Sequence, residues 1–195
     1  MRLGVFGGSF DPPHNGHLAL CRTARERLGL SHLIISVSNN PFKTGTDAPD
    51  AHRLRMAELL AREIDPSGAF AEVSDWELQR PGPSYTIDLL LYLHECYPTA
   101  ELMLLVGEDS YRDMPRWRSL GEIRKLSRII VFERKAAHDG GLTREPLPPA
   151  EIIELDVPVS ATEVRRRLEC GESAAHLVPP SIAEYIAHHG LYRTT

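Results

Sequence analysis

The chain has little cysteine, no long apolar run and no excess of positive charge, and each shortage removes a class of protein. Its three cysteines, Cys21, Cys96 and Cys170, are odd in number and far apart. They form no CxxC pair and no zinc spacing with the histidines, so neither a disulfide framework nor a zinc module is encoded; reduced, partly buried thiols are expected. No apolar stretch approaches the roughly 20 residues that span a bilayer. The opening Met1-Arg2-Leu3-Gly4-Val5-Phe6 runs straight into paired glycines and lacks the apolar core of a secretory signal, which points to the cytoplasm and to no membrane partner. A formal net charge of −5 argues against nucleic acid as partner, because that calls for a basic field. Internal repeats, low-complexity tracts, a Walker lysine and the GxGxxG spacing are all missing from the sequence.

What is present is average for a globular protein. At 195 residues, 42% hydrophobic and 25% charged, the chain suits one α/β domain and is short for two, so a single domain over 1–195 is expected. Arg2–Phe6, Leu33–Val37, Leu102–Val106 and Arg128–Glu133 read as buried strands, with weaker candidates at Phe70–Val73 and Ile152–Leu155. Helical spacing covers Asn15–Leu28, Ala51–Ile64, Tyr85–Tyr97, Glu122–Leu126, Thr162–Glu169 and Ser181–His189, the last two being C-terminal helices. Lys135–Pro149 reads as an exposed loop. Apolar strands alternating with helices predict a doubly wound, Rossmann-like parallel sheet, with ligands beyond the carboxyl ends of the strands.

Two motifs stand at such ends, and a third opens a further helix. In Gly7-Gly8-Ser9-Phe10-Asp11-Pro12-Pro13-His14-Asn15-Gly16-His17, the paired glycines allow positive φ and let backbone N–H groups approach a ligand. Asn15 is the expected N-cap. His14 and His17, three residues apart at a helix start, both face the positive end of the helix dipole. That suits a phosphate gaining charge during reaction. Zinc is the rival, but His-x-x-His is short of a third ligand. In Val159-Ser160-Ala161-Thr162-Glu163-Val164-Arg165, the hydroxyls of Ser160 and Thr162 open a helix, and Arg165 shares the face of Thr162. An ordinary capped helix with a surface arginine reads the same way. Pro83-Ser84-Tyr85-Thr86 opens another helix, whose free N–H groups suit a small carboxylate. Trp117, in the polar setting Pro115-Arg116-Trp117-Arg118, can stack on a flat ring or pack beneath the Tyr111 loop.

Gly7–Leu18 resembles the HxGH signature of the nucleotidyltransferase superfamily and, within it, the GGSFDPxHxGHL of the bacterial nicotinate mononucleotide adenylyltransferases; Val159–Arg165 is similar to its ISSTxxR motif. The resemblance runs almost end to end and is weakest over Lys135–Pro149. It implies adenylyl transfer from ATP to nicotinate mononucleotide, giving deamido-NAD and pyrophosphate, with Mg²⁺ arriving on the triphosphate. It implies that His14, His17 and Arg165 are catalytic, and that Gly7, Gly8, Ser9, Phe10, Gly16, Gly107, Asp109, Ser160 and Thr162 bind ATP. Asp109 would take a ribose hydroxyl; the same carboxylate equally reads as a loop cap. Asn40, Lys43, Ser84, Tyr85, Thr86 and Trp117 would hold the mononucleotide. Where the family often has His, this chain has Phe42. A phosphopantetheine adenylyltransferase usually lacks the first histidine and the Ser-Tyr-Thr and Trp pair; a nucleotide-sensing module would bind without turnover. The sequence leaves the oligomeric state open, a homo-oligomer included.

Overall fold

Residues 1–39, 46–133 and 147–193 are described by the structure, a computed structural model. Six strands form one sheet: β1 (Arg2–Gly8), β2 (His32–Val37), β3 (Ala71–Ser74), β4 (Glu101–Gly107), β5 (Ser127–Glu133) and β6 (Glu151–Glu154). Their order is β3-β2-β1-β4-β5-β6, and every neighbouring pair is parallel. The chain therefore winds outward from β1 in one direction and, from β4, in the other.

Strand alternation separates two cores. Leu33, Ile35, Met103 and Leu105 enter one face, while Leu3, Val5, Ile34, Leu102 and Leu104 enter the other. The first face is covered by α1 (Asn15–Leu28), α2 (Asp50–Ile64), α6 (Ala161–Glu169) and α7 (Pro180–His189), which bring in Leu20, Met56, Leu60, Val164 and Ile182. The second is covered by α3 (Thr86–Cys96) and α5 (Leu120–Leu126), through Leu90, Leu93 and Ile123. Strands buried on both faces must be apolar throughout, which is why they read as continuous runs. Among the described residues, no helix is long and apolar enough to cross a membrane.

Two expectations change. A helix α4 (Glu108–Asp113) and a 3₁₀ turn (Met114–Arg116) follow β4 where a loop was read; their acidic, polar sequence has no apolar stripe to announce them. Cys21 is buried, and burial pushes its thiol up, but Cys96 and Cys170 are exposed. Most of the Lys135–Pro149 loop lies outside the described residues.

Gly4, at the middle of β1, marks a close approach. A Cβ there would lie 2.7 Å from Leu30 Cδ1 and 3.0 Å from Leu33 Cδ1. Both leucines are buried, so neither can swing into solvent. Gly4→Val should therefore lower the unfolding free energy by about 1–3 kcal/mol in urea titration; unchanged stability would show that this layer is loosely packed.

Candidate active site

Parallel strands deliver all their carboxyl ends to one edge, and the reversal of strand order between β1 and β4 opens a crevice there. A cavity of about 760 Å³ occupies it. Of the sequence-predicted residues, Gly7, Gly8, Ser9, Phe10, His14, Gly16, His17, Ser84, Tyr85, Thr86, Gly107, Asp109, Trp117, Ser160, Thr162 and Arg165 all line this cavity. Asn40 and Lys43 lie outside the described residues. At Gly7 and Gly107, on the adjacent strands β1 and β4, an added Cβ would meet nothing within 4 Å; these positions leave strand ends bare to the cavity.

The signature segment is held differently from the sequence expectation. Gly7 and Gly8 remain in β1, and the left-handed conformation falls instead on Phe10, at φ 48°. A side chain there costs about 1–2 kcal/mol, offset by burial of its ring against Phe6 and His17 at centroid distances of 5.5 and 5.4 Å. The glycines serve sterically: a Cβ on Gly8 would sit 3.1 Å from the Phe10 ring. Gly16 is needed for a related reason. Its missing Cβ would come within 3.0 Å of the His14 ring and 3.2 Å of Val159 Cγ1. The residue between the histidines thus lets the Val159–Arg165 motif close onto the first.

His14, not Asn15, is the N-cap of α1. Asn15 is the first helical residue, and its side-chain amide donates to His176 O at 3.0 Å. The imidazoles of His14 and His17 stack at 3.7 Å and 18°. The His14 backbone N–H donates to His17 Nδ1 at 3.2 Å. A ring nitrogen that accepts is unprotonated, so neutral His17 carries its proton on Nε2 and serves as a donor. Among the described residues, no group of three His, Cys, Asp or Glu side chains is gathered to hold a metal.

Ser160 caps α6, its Oγ accepting from Glu163 N at 3.2 Å. Three arginines follow, and only Arg165 lines the cavity. Arg166 and Arg167 both bind Glu163 and hold its carboxyl down at about 2. Arg165 donates to Asp11 O at 2.7 Å and forms an ion pair with Asp47. Asp11, which sequence reasoning passed over, is buried. Its carboxylate accepts from Asp47 N at 2.7 Å, Ala48 N at 3.0 Å and Tyr192 Oη at 2.8 Å. Burial, then the Asp11 carboxylate, pushes the Tyr192 hydroxyl up, which keeps it a donor.

Arg53 was also missed. Its side chain is fully buried, donating to Ser9 O (2.8 Å), Ser38 O (2.9 Å), Asn39 Oδ1 (2.9 Å) and Asp50 Oδ1 (2.7 Å). One guanidinium thereby joins the loops after β1 and β2 to the start of α2. No sequence signal separates it from the neighbouring Arg55, which pairs with Glu58 at the surface.

At the other end, Ser84 N donates to Asn39 O and Asn39 N to Ser84 Oγ, both at 3.1 Å. Among the described residues no side chain caps α3, and a helix cannot satisfy its own first N–H groups; Tyr85 and Thr86, at that start, line the cavity. Trp117 follows the 3₁₀ turn and packs partly against the second core, so it is both packed and cavity-lining. Buried Glu77 accepts from Ser36 Oγ at 2.7 Å. Asp109 belongs to the first turn of α4, not to a loop; buried Glu108, its neighbour, pairs with Arg112.

A switch-point cavity lined by stacked histidines and an arginine at a second helix start defines a nucleotidyltransferase-type site. Consistent with that class, the cytidylyltransferase-like family model matches residues 5–167. The chain is 55% identical over 195 residues to the probable nicotinate-nucleotide adenylyltransferase of Chlorobaculum parvum, with all of both chains covered. It is 55% identical to that of Chlorobaculum tepidum, covering 98% of this chain and 99% of the relative. The fold is shared with Plasmodium falciparum nicotinic acid mononucleotide adenylyltransferase complexed with NaAD, at a TM-score of 0.77, 18% identity, and 98% and 97% coverage of the two chains. The chain belongs to the cytidylyltransferase-like family, in its nicotinate-nucleotide adenylyltransferase branch.

The buried Glu77 gives this wall a pH signature. Burial raises its carboxyl above the usual 4.5, outweighing the opposing bonds from Ser84 and Ser36. The folded state then holds the proton more tightly than the unfolded chain does. Stability from this group is full below about pH 4.5 and is lost as pH rises through the folded value. Glu77→Gln keeps a neutral hydrogen-bonding group that does not titrate. Urea titrations from about pH 4.5 to about pH 7 should show the wild type losing stability relative to this variant; a constant difference would contradict the assignment.

Proposed function

We propose that this enzyme transfers the adenylyl group of ATP to nicotinate mononucleotide, a step of NAD biosynthesis, releasing deamido-NAD and pyrophosphate. The observation that carries this reading is the sharing of one cavity by two unlike ends: the His14–His17 pair with Arg165, and the start of α3 with Trp117. A phosphate oxygen of the mononucleotide attacks the α-phosphorus of ATP; the bond from that phosphorus to the bridging oxygen breaks, and the electrons leave with pyrophosphate. No side chain becomes covalently bonded, because positioning and charge stabilisation carry such transfers.

In this mechanism His17, a neutral donor through Nε2, and His14 stabilise charge at the α-phosphate. Arg165 exchanges the Asp47 carboxylate for the β- and γ-phosphates, helped by Thr162, Ser160 and the N–H groups opening α6. Gly7, Gly8, Ser9, Phe10 and Gly16 give the phosphates a close backbone approach, and Gly107 and Asp109 hold the adenosine, Asp109 at a ribose hydroxyl. Ser84, Tyr85 and Thr86 receive the nicotinate carboxylate, Trp117 stacks on the pyridine, and Asn40 and Lys43 take part in holding the mononucleotide, Lys43 at a phosphate. Mg²⁺ belongs to the ATP substrate and arrives with it. The enzyme acts as one domain over 1–195, in the cytoplasm, without nucleic acid or membrane.

Pyrophosphate release from ATP and Mg²⁺, with nicotinate mononucleotide, nicotinamide mononucleotide and phosphopantetheine in parallel, tests the reading. Fast release with the nicotinate form is expected; release with phosphopantetheine alone, or with none, contradicts it. His17→Ala should lower kcat roughly 10²- to 10³-fold, the cost of losing one such donor. A folded variant with normal turnover would remove His17 from the mechanism.

A further inference from the structure

Two arginines line the cavity, and they differ in what they hold. Arg165 is engaged by Asp11 O and the Asp47 carboxylate. Arg118 has no carboxylate or carbonyl partner among the described residues. Of the acids that line the same cavity, Asp113 pairs with Arg116 at 3.5 Å, Glu108 pairs with Arg112, and Glu77 accepts from Ser36. The Arg118 guanidinium instead lies over the Tyr85 ring, 5.1 Å from its centroid. It follows Trp117 in the chain and stands beside the start of α3. Ser119, in the left-handed conformation at φ 55°, links Arg118 to α5.

A guanidinium resting on an aromatic face keeps its in-plane forked donors available, and that geometry matches a carboxylate. A neutral amide in the same place brings no charge and sets its own donors against those of the arginine. We propose that Arg118 sets the preference for an acidic over an amide substituent on the pyridine ring, its guanidinium meeting the ligand carboxylate that the opening N–H groups of α3 also receive. This rests on the acceptor reading above. The mononucleotide phosphate is the other anion within the same ligand, but it is common to the acid and the amide, so a contact to it gives no discrimination.

The test is kcat/KM for nicotinate and nicotinamide mononucleotide at saturating ATP, in wild type, Arg118→Gln and Arg118→Lys. Arg118→Gln should lower the value for the nicotinate form roughly 10- to 100-fold, the range of one charge-assisted contact, mostly through KM. The value for the nicotinamide form should stay within about twofold, since it never used the charge. Arg118→Lys should recover part of the loss. Equal falls with both ligands would place Arg118 on the phosphate or in the scaffold, and no change with either would make it idle; both results overturn the proposal. A wild type inactive with both pyridine nucleotides would overturn the acceptor reading itself, before any variant is made.

Discussion

The cavity depends on a charge that never reaches it. Arg53 is buried completely, and a buried cation is tolerated only when its donors are matched with acceptors. Here the acceptors come from three places: the carbonyl of Ser9 after β1, Ser38 and Asn39 after β2, and Asp50 at the start of α2. Pairing both terminal nitrogens of one guanidinium therefore fixes the spacing of two strand ends and of the helix behind them. Asn39 is in turn paired with Ser84, so the same constraint extends to the start of α3. The wall assigned to the pyridine and the wall assigned to the phosphates are built from one hydrogen-bonded set.

A second set locks the signature segment from the far side. Asp11 draws together Asp47, Ala48 and Tyr192, all distant from it in sequence, while its own carbonyl receives Arg165. Gly16 lets Val159 and the His14 ring close over it. The chain carries net charge −5, yet two histidines, two arginines and the N-terminal ends of α1, α3 and α6 converge on one crevice. Parallel strands make that possible, because each is followed by a helix whose positive end lies at the same edge of the sheet.

Much of this was legible in the sequence, because it rests on local patterns. Apolar runs marked the strands, 3.6-residue spacing the long helices, and motif resemblance the residues that the structure brings together. What escaped was decided over long distances. Arg53 looks like any polar residue of an amphipathic helix until Ser9 and Ser38 arrive above it. Asp11 could be quoted as part of a motif, but its partners Tyr192 and Ala48 cannot be inferred from spacing. The glycines were read as conformational devices, whereas Gly8 and Gly16 are required by the Phe10, His14 and Val159 side chains packed against them. Helix α4 lacks an apolar stripe because it lies at the rim of the cavity. Arg118 was visible only as part of a polar setting for Trp117; its place over Tyr85 belongs to the tertiary structure.

On this proposal the cavity seats both halves of the product, with the transferred phosphate at the histidine pair. A crystal structure of the enzyme with deamido-NAD tests it most directly. The adenylate phosphate is expected within about 3 Å of His17 Nε2, a hydrogen-bond distance, and the pyridine ring against Trp117. A dinucleotide bound with its phosphates away from His14 and His17 would contradict it.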